Sequence, residues 1–386
     1  MKKSSGQITI GIELIDDPAW MGGTLYVRNL AICLSRLLEN ERPLVQLIGA
    51  PNVVSDFIDE WGHLPIFNSA SNNLLGRISR RLGWTQKVAA PIDIIYPGFG
   101  AQVPGAVTMR WIPDFQHRYL PHLFSEEEVT IRDCSIKEIA DKSGVVILSS
   151  EVAAKDFCRF YPGHLATPRV WHFCSLLDTT KSASYAAIGQ YGLPEKYLYL
   201  PNQFWAHKNH ITVFKALARL RHERGIEIPI VCTGAQSDRR NETHFSNLQQ
   251  FIQEKDLTGQ VHLLGLIERN DQIEVLRHAA AVIQPSLFEG WSTVVEDVRA
   301  TGRPIFLSDI PVHREQNPPH CSYFNPESDE QLAEILACQW GTLRPGTDVR
   351  AESEARQDME TRTLNSAHVF CEIANMALDI SNKPKF

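Results

Sequence analysis

The fold of this chain follows from one stretch, AAVIQPSLFEGWSTVVED at residues 280–297, which runs on to ATGRPI at residues 300–305. It begins as a short apolar run ended by turn residues, which suits a strand buried on both faces. Thr293 followed by Glu296 has the spacing of a capping box, so a helix is predicted to start there. Gly302 suits the position just past the end of that helix. The stretch therefore predicts a strand, a loop, a helix and a second strand.

The loop of this unit ends at a helix N-terminus, which attracts anions. First-turn N–H groups lack intrahelical partners and the helix dipole adds partial positive charge, so a phosphate fits there. Glu289 stands just before this point, and Asp297 lies about one turn inside the helix, where a carboxylate can accept two vicinal ribose hydroxyls. The two carboxylates would hold a sugar nucleotide from both ends. Its diphosphate would lie against the residues at the turn: Gly290, Trp291, Ser292 and Thr293.

The motif Pro-Ser-x-x-Glu-Gly at residues 285–290, with a second acid downstream, resembles the Glu-x7-Glu signature of the retaining GT-B glycosyltransferases of family GT4. A gap-free comparison places Asp297, and not Glu296, at the second acidic position. Adjacent helical residues point about 100° apart, so only one of the two should face the nucleotide. The resemblance implies an α/β fold of the GT-B type, with two Rossmann-like parallel-sheet domains facing across a cleft.

Length and composition agree with a two-domain enzyme. At 386 residues the chain exceeds the usual single-core limit. Its net charge of −7 argues against binding dominated by nucleic-acid phosphates. Eight cysteines without a Cys-x-x-Cys pair indicate reduced thiols and not a zinc site. No signal-peptide core or membrane-spanning run is evident, so a cytoplasmic location is expected, either free or peripheral on the inner face of the cell membrane.

The predicted domain division has three parts. Residues 1–185 form a Rossmann-like acceptor-side domain, residues 186–360 a Rossmann-like domain that binds the nucleotide sugar, and residues 361–386 a helix that crosses back to the first domain. The resemblance implies this arrangement for the whole chain and is most specific over residues 197–315.

Two loops of the first predicted domain contain candidate site residues. Gly22 and Gly23 follow the first strand, where paired glycines in the family lie near the donor diphosphate; a plain strand-to-helix turn is the alternative. Asp114 and His117 follow a later strand, and polar side chains beyond strand ends cluster around ligands in open α/β sheets. The family often has a His-Asp dipeptide here, and this chain has Pro113-Asp114. Either His117 takes the place of the family histidine, or the loop suits a different acceptor.

The second predicted domain contributes the remaining candidates. The resemblance places Lys208 on the lysine that neutralises the donor diphosphate, and Gln203 where an arginine often stands. It also places Thr233, Gly234 and Leu266 beside the nucleotide base. Ligands for a metal site are missing near Lys208.

A basic and apolar segment at residues 72–87 contains Arg77, Arg80, Arg81 and Lys87. One interpretation is a membrane-surface contact that lets the enzyme reach a lipid-linked acceptor. The other is an ordinary solvated face.

The resemblance implies transfer of a sugar, with retained anomeric configuration, from a UDP- or GDP-linked donor to a hydroxyl of a glycan or lipid-linked glycan acceptor. Glu289 would orient the sugar, and Lys208 with the helix N–H groups would stabilise the departing phosphate. The chain has no Asp-x-Asp motif, so no metal and no cofactor beyond this co-substrate are expected. Bacterial surface-polysaccharide assembly (lipopolysaccharide or O-antigen, capsule, exopolysaccharide) is the expected setting. A nucleotide-sugar 2-epimerase of the same fold and a catalytically inactive scaffold are the alternatives.

Overall fold

The computed structural model describes residues 7–17, 20–67, 91–177 and 189–382. The chain divides into two compact units. Unit 1 comprises Met1–Asp114, Asp133–Cys174 and Glu360–Phe386, and unit 2 comprises Phe115–Arg132 and Ser175–Met359.

The strands and helices alternate along most of the chain. The strands are β1 Thr9–Glu13, β2 Leu44–Ile48, β3 Ile94–Tyr96, β4 Val107–Thr108, β5 Arg110–Ile112, β6 Gly144–Leu148, β7 Ala166–Val170, β8 Leu198–Pro201, β9 Ile230–Thr233, β10 Val261–Gly265, β11 Ala281–Gln284, β12 Ile305–Ser308 and β13 Cys321–Phe324. The helices are α1 Met21–Ser35, α2 Pro51–Trp61, α3 Gln116–Tyr119, α4 Glu126–Ala140, α5 Glu151–Phe160, α6 His210–Arg224, α7 His244–Glu254, α8 Arg269–His278, α9 Thr293–Thr301, α10 Pro311–Gln316, α11 Asp329–Gln339 and α12 Val349–Asn382.

Unit 1 is built on parallel strands in the order β2-β1-β3-β4 and β5-β6-β7. The short strands β4 and β5 are successive parts of one extended run; β4 pairs with β3, and β5 pairs with β6. Among the helices of this unit, α5 begins after Ser150, whose hydroxyl caps it by accepting a hydrogen bond from the Ala153 N–H at 3.1 Å.

Unit 2 has a six-stranded parallel sheet in the order β10-β9-β8-β11-β12-β13. Strands β9, β11 and β12 are buried along their whole length, as the apolar run at residues 280–283 predicts for β11. Leu198 and Leu200 of β8 join a cluster with α6 and α11, whereas Tyr199 joins the opposite cluster with α8 and α9. This alternation follows from the two-residue period of a strand. The parallel sheets of both units confirm the predicted α/β class.

The short segment Phe115–Arg132 precedes residue 185 and so falls in the first predicted domain, yet it groups with unit 2. Its aromatic side chains explain the grouping. The Tyr119 ring lies 5.4 Å from that of Phe288, and the Arg240 guanidinium lies 4.5 Å from the centre of the Phe124 ring.

The helix α9 starts where predicted, but the predicted capping box is wrong. Ser292 is the N-cap residue and makes no side-chain capping bond, and Thr293 is already helical. Glu296 therefore lies one position too far along to reach back to the cap, and it accepts a hydrogen bond from Gln316 at 3.1 Å. The predicted helix end at Gly302 is confirmed by its left-handed φ of 67°.

The last helix is longer than predicted. The sequence predicts it within residues 361–386, and α12 spans Val349–Asn382, so it begins 12 residues earlier. Its first turns are mostly charged, so they lack an apolar stripe that predicts a helix. A tertiary contact stabilises them: Glu352 accepts hydrogen bonds from Arg277 at 3.0 and 2.9 Å. In unit 1 the same helix accepts a hydrogen bond from the Trp171 indole at the Ser366 carbonyl, at 3.0 Å.

Candidate active site

The candidate site lies at the carboxyl edge of the unit 2 sheet, between β8 and β11. The strand order runs outward in opposite directions from this pair, and open parallel sheets bind ligands at such a switch point. Asn202 directly follows β8 and Gln284 ends β11, and the Asn202 side-chain amide donates to Gln284 Oε1 at 2.5 Å. The loops at residues 202–209 and 285–292 are thus joined at their bases.

The carboxylate of Glu289 is held by one oxygen. Its Oε1 accepts hydrogen bonds from Lys208 Nζ at 2.6 Å, Ser286 Oγ at 2.7 Å and Gln284 Nε2 at 2.9 Å. Its Oε2 accepts none from the described residues and is not fully enclosed. Burial opposes ionisation, but nearby positive charge, that of Lys208 first, keeps the pKa of Glu289 below its ordinary value. Glu289 is therefore an ionised group with one fixed oxygen and one available to a ligand.

Lys208 is positioned by the loop that follows β8. It ends a short 3₁₀ turn, and the next residue, Asn209, has a left-handed φ of 56°. The Asn209 amide donates to the carbonyls of Pro285 at 3.1 Å and Pro326 at 2.8 Å. The Leu287 N–H also donates to the carbonyl of His207, the residue before Lys208, at 2.8 Å. Lys208 and Glu289 thus belong to two loops that are bonded to each other at several points.

The N-terminus of α9 presents unpaired donors beside this ion pair. In the described part of the chain, the N–H groups of Thr293, Val294 and Val295 have no hydrogen-bond acceptor. Ser292 just before them is fixed by Gln316 of α10, whose side chain accepts from the Ser292 N–H at 3.2 Å and donates to its carbonyl at 3.0 Å. The donors at the start of α9 are therefore preorganised for an anion.

The second acidic position has two neighbours with different surroundings. Glu296 is buried and bonded to Gln316. Asp297 Oδ1 accepts from Arg269 Nη2 at 2.6 Å and from the Ser175 hydroxyl. Its other oxygen accepts no hydrogen bond from the described residues and is not fully enclosed. The geometry of Asp297 thus parallels that of Glu289, and its contact with the nucleotide stays a prediction.

Three histidines around the site are held in the neutral form. Burial, which disfavours the charged imidazole, lowers the pKa of His207 and of His210 to about 3 and that of His313 to about 4. His313 Nδ1 lies 2.9 Å from the Ser308 carbonyl, which accepts a hydrogen bond only from a protonated Nδ1. Its Nε2 therefore carries no proton and can only accept a hydrogen bond, and it is buried without a hydrogen-bond partner.

The predicted base-binding residues lie at the ends of β9 and β10. The Thr233 hydroxyl is paired with that of Tyr199 at 2.7 Å, so it serves the core. The Gly234 N–H donates to the Gly265 carbonyl at 2.8 Å, and a Cβ on Gly234 would lie 2.4 Å from a backbone oxygen. Leu266 is 70% exposed, as an apolar contact for a base requires. Gln203 is half-buried in the loop after β8.

The other predicted site residues belong to other elements of the fold. Gly22 and Gly23 open α1 of unit 1, and Asp114 ends the first segment of that unit. His117 lies in α3, buried, with its ring 6.4 Å from those of Phe115 and Phe124. The structure therefore gives His117 an aromatic environment, and its catalytic role stays a prediction.

The basic segment with Arg77, Arg80, Arg81 and Lys87 lies outside the described residues. Within the described ranges, no three His, Cys, Asp or Glu side chains are grouped to hold a metal ion. None of the described helices combines the length and hydropathy that crossing a membrane requires.

Sequence reasoning missed several residues that organise the site: Asn202, Arg269, Gln284, Ser286, His313 and Gln316. Two of them carried a usable signal, since Asn202 and Gln284 are polar residues at the ends of buried apolar strands. Arg269 and Gln316 carried none, because their partners come from distant parts of the chain.

Comparisons with known proteins give one family match and several similar structures. Residues 188–337 match the family described as glycosyl transferases group 1. The chain is similar in structure to HepE of Anabaena in complex with UDP (TM-score 0.64, 15% identity, 96% of this chain and 100% of that chain). It is also similar to a glycosyltransferase from Rickettsia africae (0.61, 13%, 98% and 100%) and to sucrose-phosphate synthase from Thermosynechococcus elongatus (0.60, 15%, 97% and 98%). At these identities the likenesses show the fold, GT-B. The comparison with curated proteins found no match.

Proposed function

We propose that this chain, whose residues 188–337 match the family described as glycosyl transferases group 1, is a glycosyltransferase that takes its sugar from a nucleoside diphosphate and transfers it to a hydroxyl of a glycan or lipid-linked glycan. The observation that carries the proposal is the convergence of Lys208 and Glu289 at the N-terminus of α9. A diphosphate needs the cation and the free N–H donors, and a sugar needs a carboxylate acceptor.

Each part of the donor has a matching group. The diphosphate would lie against the N–H groups of Thr293 to Val295, with Lys208 beside it. The sugar hydroxyls would donate to Glu289 Oε2, since Oε1 is already occupied by three donors. The ribose hydroxyls would donate to the open oxygen of Asp297.

These groups favour the departure of the nucleotide. Negative charge grows on the leaving phosphate in the transition state, and donors that are already oriented stabilise it without reorganisation. We propose that Lys208 and the α9 N–H groups supply this stabilisation without a metal ion. We also propose that the sugar keeps its anomeric configuration, which rests on the family resemblance of the Glu289 motif.

The neighbouring structures support a uridine nucleotide as the first donor to test. HepE is described in complex with UDP, with UDP and glucose, and with UDP-glucose. A UDP-hexose, with a GDP-hexose second, is the proposed donor. The proposed setting is bacterial surface-polysaccharide assembly at the cytoplasmic side of the membrane.

A binding panel followed by a turnover assay tests the function. Thermal shifts are measured with UDP- and GDP-hexoses, since a donor at 100 times its dissociation constant stabilises by about 2.7 kcal/mol. The donor that binds is then incubated with glycan acceptors in the presence of EDTA, and the anomeric configuration of the product is read by NMR. Donor converted to its 2-epimer without an acceptor would establish the epimerase instead. A protein that binds no nucleotide sugar would refute the proposal.

A further inference from the structure

A group of stacked aromatic rings in unit 1 has no part in the donor site. Trp111 of β5 stacks on Tyr26 with ring centres 3.7 Å apart and on Trp20 with centres 5.4 Å apart, both nearly parallel. Phe99 leans against the edge of this stack, 6.0 Å from Trp111 and 6.2 Å from Trp20. Tyr26 and Trp111 are buried, whereas Trp20 is half-buried and Phe99 is 47% exposed.

The location of these rings is that of a ligand site. The strand order β2-β1-β3-β4 changes direction between β1 and β3, and ligands of open parallel sheets bind beyond the carboxyl ends of the strands at such a point. Trp20 follows β1, and Phe99 follows β3 by three residues. The other exposed large apolar side chains described in unit 1 are aliphatic: Leu38, Leu165, Leu364 and Val369.

Phe99 is held rigidly although it is exposed. The Glu13 carboxylate at the end of β1 accepts from the Phe99 N–H at 2.8 Å and from the Ala101 N–H at 2.9 Å. These hydrogen bonds already order the backbone of the loop. A ligand that packs on the exposed Phe99 ring therefore causes little further loss of conformational entropy in the protein.

Trp20 is held by a close backbone contact. A Cβ on Gly23 would lie 2.7 Å from the Trp20 ring, so only glycine allows the indole to occupy this place. A Cβ on Gly22 would lie 3.9 Å from it, which is ordinary contact. Gly23 therefore has a role in unit 1 that differs from its predicted contact with the donor. Trp111 in turn donates its indole N–H to the Ser149 hydroxyl at 2.9 Å.

We propose that Phe99 and Trp20 form an acceptor subsite that stacks against the apolar face of a pyranose ring. This inference rests on the proposed function only in naming the ring as that of the acceptor. A pyranose presents one face of C–H groups and a rim of hydroxyls, and the C–H face can pack on an exposed aromatic ring such as that of Phe99, with the tilted Trp20 ring beside it. Two aromatic side chains offer too little apolar area for an acyl chain or a protein partner, which bury hundreds of square ångströms or more.

The experiment uses the full chain with methyl β-glucopyranoside and methyl α-mannopyranoside as probes, and with sorbitol as an open-chain polyol that has no ring face. Saturation-transfer NMR reports which probe protons touch the protein, and the part of the tryptophan fluorescence change that is lost in Trp20→Ala reports Trp20, one of eight tryptophans in the chain. We expect ring C–H contacts with at least one pyranoside and none with sorbitol. Phe99→Ala and Trp20→Ala should weaken pyranoside binding about tenfold or more.

Matched variants separate the subsite from general damage. Leu165→Ala removes an equally exposed apolar side chain of unit 1 and should bind pyranosides as the unchanged protein does. Gly23→Ala should displace the Trp20 ring and change the tryptophan spectrum, whereas Gly22→Ala should leave the spectrum unchanged. Phe99→Ala with undiminished pyranoside binding, or equal binding of sorbitol, overturns the proposal.

A donor-side measurement distinguishes failure of this inference from failure of the proposed function. The thermal shift produced by the nucleotide sugar depends on unit 2 residues, so it should be the same in Phe99→Ala and in the unchanged protein. A protein that binds no nucleotide sugar but stacks pyranosides on Phe99 would refute the enzymatic proposal and leave a sugar-binding site.

Discussion

Removal of the Lys208 charge is the most informative perturbation of this protein. Lys208 Nζ and Glu289 Oε1 are 2.6 Å apart, and their side chains are only 15% and 10% exposed. Lys208→Met keeps the length of the side chain and removes its charge. Glu289→Gln keeps the shape of the partner and removes its charge, and the double variant removes both.

The expected cost follows from the burial of the pair. Removing one member of a buried ion pair costs about 3–5 kcal/mol, because the other charge is left uncompensated. Glu289 keeps its hydrogen bonds from Gln284 and Ser286, so Lys208→Met should cost about 3 kcal/mol, the lower end of that range. The double variant should be destabilised by about 2 kcal/mol less than the sum of the single changes.

Turnover should fall further than stability alone explains. Loss of one preorganised donor to a developing oxyanion typically lowers kcat by about 10²–10³. We therefore expect Lys208→Met to retain its fold and to lose turnover of the donor by roughly that factor. Lys215→Met, which removes an exposed lysine from α6, is the matched control and should change neither quantity.

Urea unfolding, monitored by circular dichroism, measures the free energy of unfolding of the unchanged protein, the two single variants and the double variant. Release of the nucleotide measures turnover. Two results would refute the reasoning. Effects that add within about 0.5 kcal/mol would show that the pair is not coupled. Near-normal turnover by Lys208→Met would remove this residue from the mechanism.

Three further predictions concern the helix end, the buried histidines and the second acid. Gly302→Ala should cost about 1–3 kcal/mol because φ is 67° there, whereas Gly341→Ala, with open space around it, should be nearly neutral; thermal unfolding compares them. The pKa of His313 is lowered to about 4, so the unfolded chain binds a proton that the folded chain does not. Stability should therefore fall by up to about 3 kcal/mol as pH drops from 6.5 to 4, and His313→Asn should reduce that slope in urea titrations at several pH values. Asp297→Asn should weaken binding of UDP about 10- to 100-fold but not of 2′,3′-dideoxy-UDP; the same pattern in Glu296→Gln, with no effect in Asp297→Asn, would assign the ribose to Glu296 instead.

The apolar periodicity and the turn-forming residues were sufficient to predict most elements of the fold. The apolar run at residues 280–283 and Gly302 predicted β11 and the end of α9, because burial on both faces and left-handed backbone each demand particular residue types. The first turns of α12 were missed, since a charged helix that depends on Glu352 and Arg277 shows no local pattern.

The contact between two predicted site residues could not be predicted from the sequence. Glu289 and Lys208 were predicted separately, from the motif and from the resemblance. Their direct contact spans 81 positions of sequence and exists because β8 and β11 are neighbours in the sheet. The capping box failed for a related reason: Gln316 of α10 competes for Glu296, and no local spacing reveals that competitor.

The sequence by itself determined which segments become strands and helices, where α9 ends and which acids stand at its beginning, because backbone conformation and burial period are local properties. The tertiary structure alone decided the partners: Lys208 on Glu289, Arg269 on Asp297 and Phe99 beside Trp20. The physical reason is that a hydrogen bond or a ring contact depends on distances of a few ångströms, and strand order sets those distances between residues far apart in the chain.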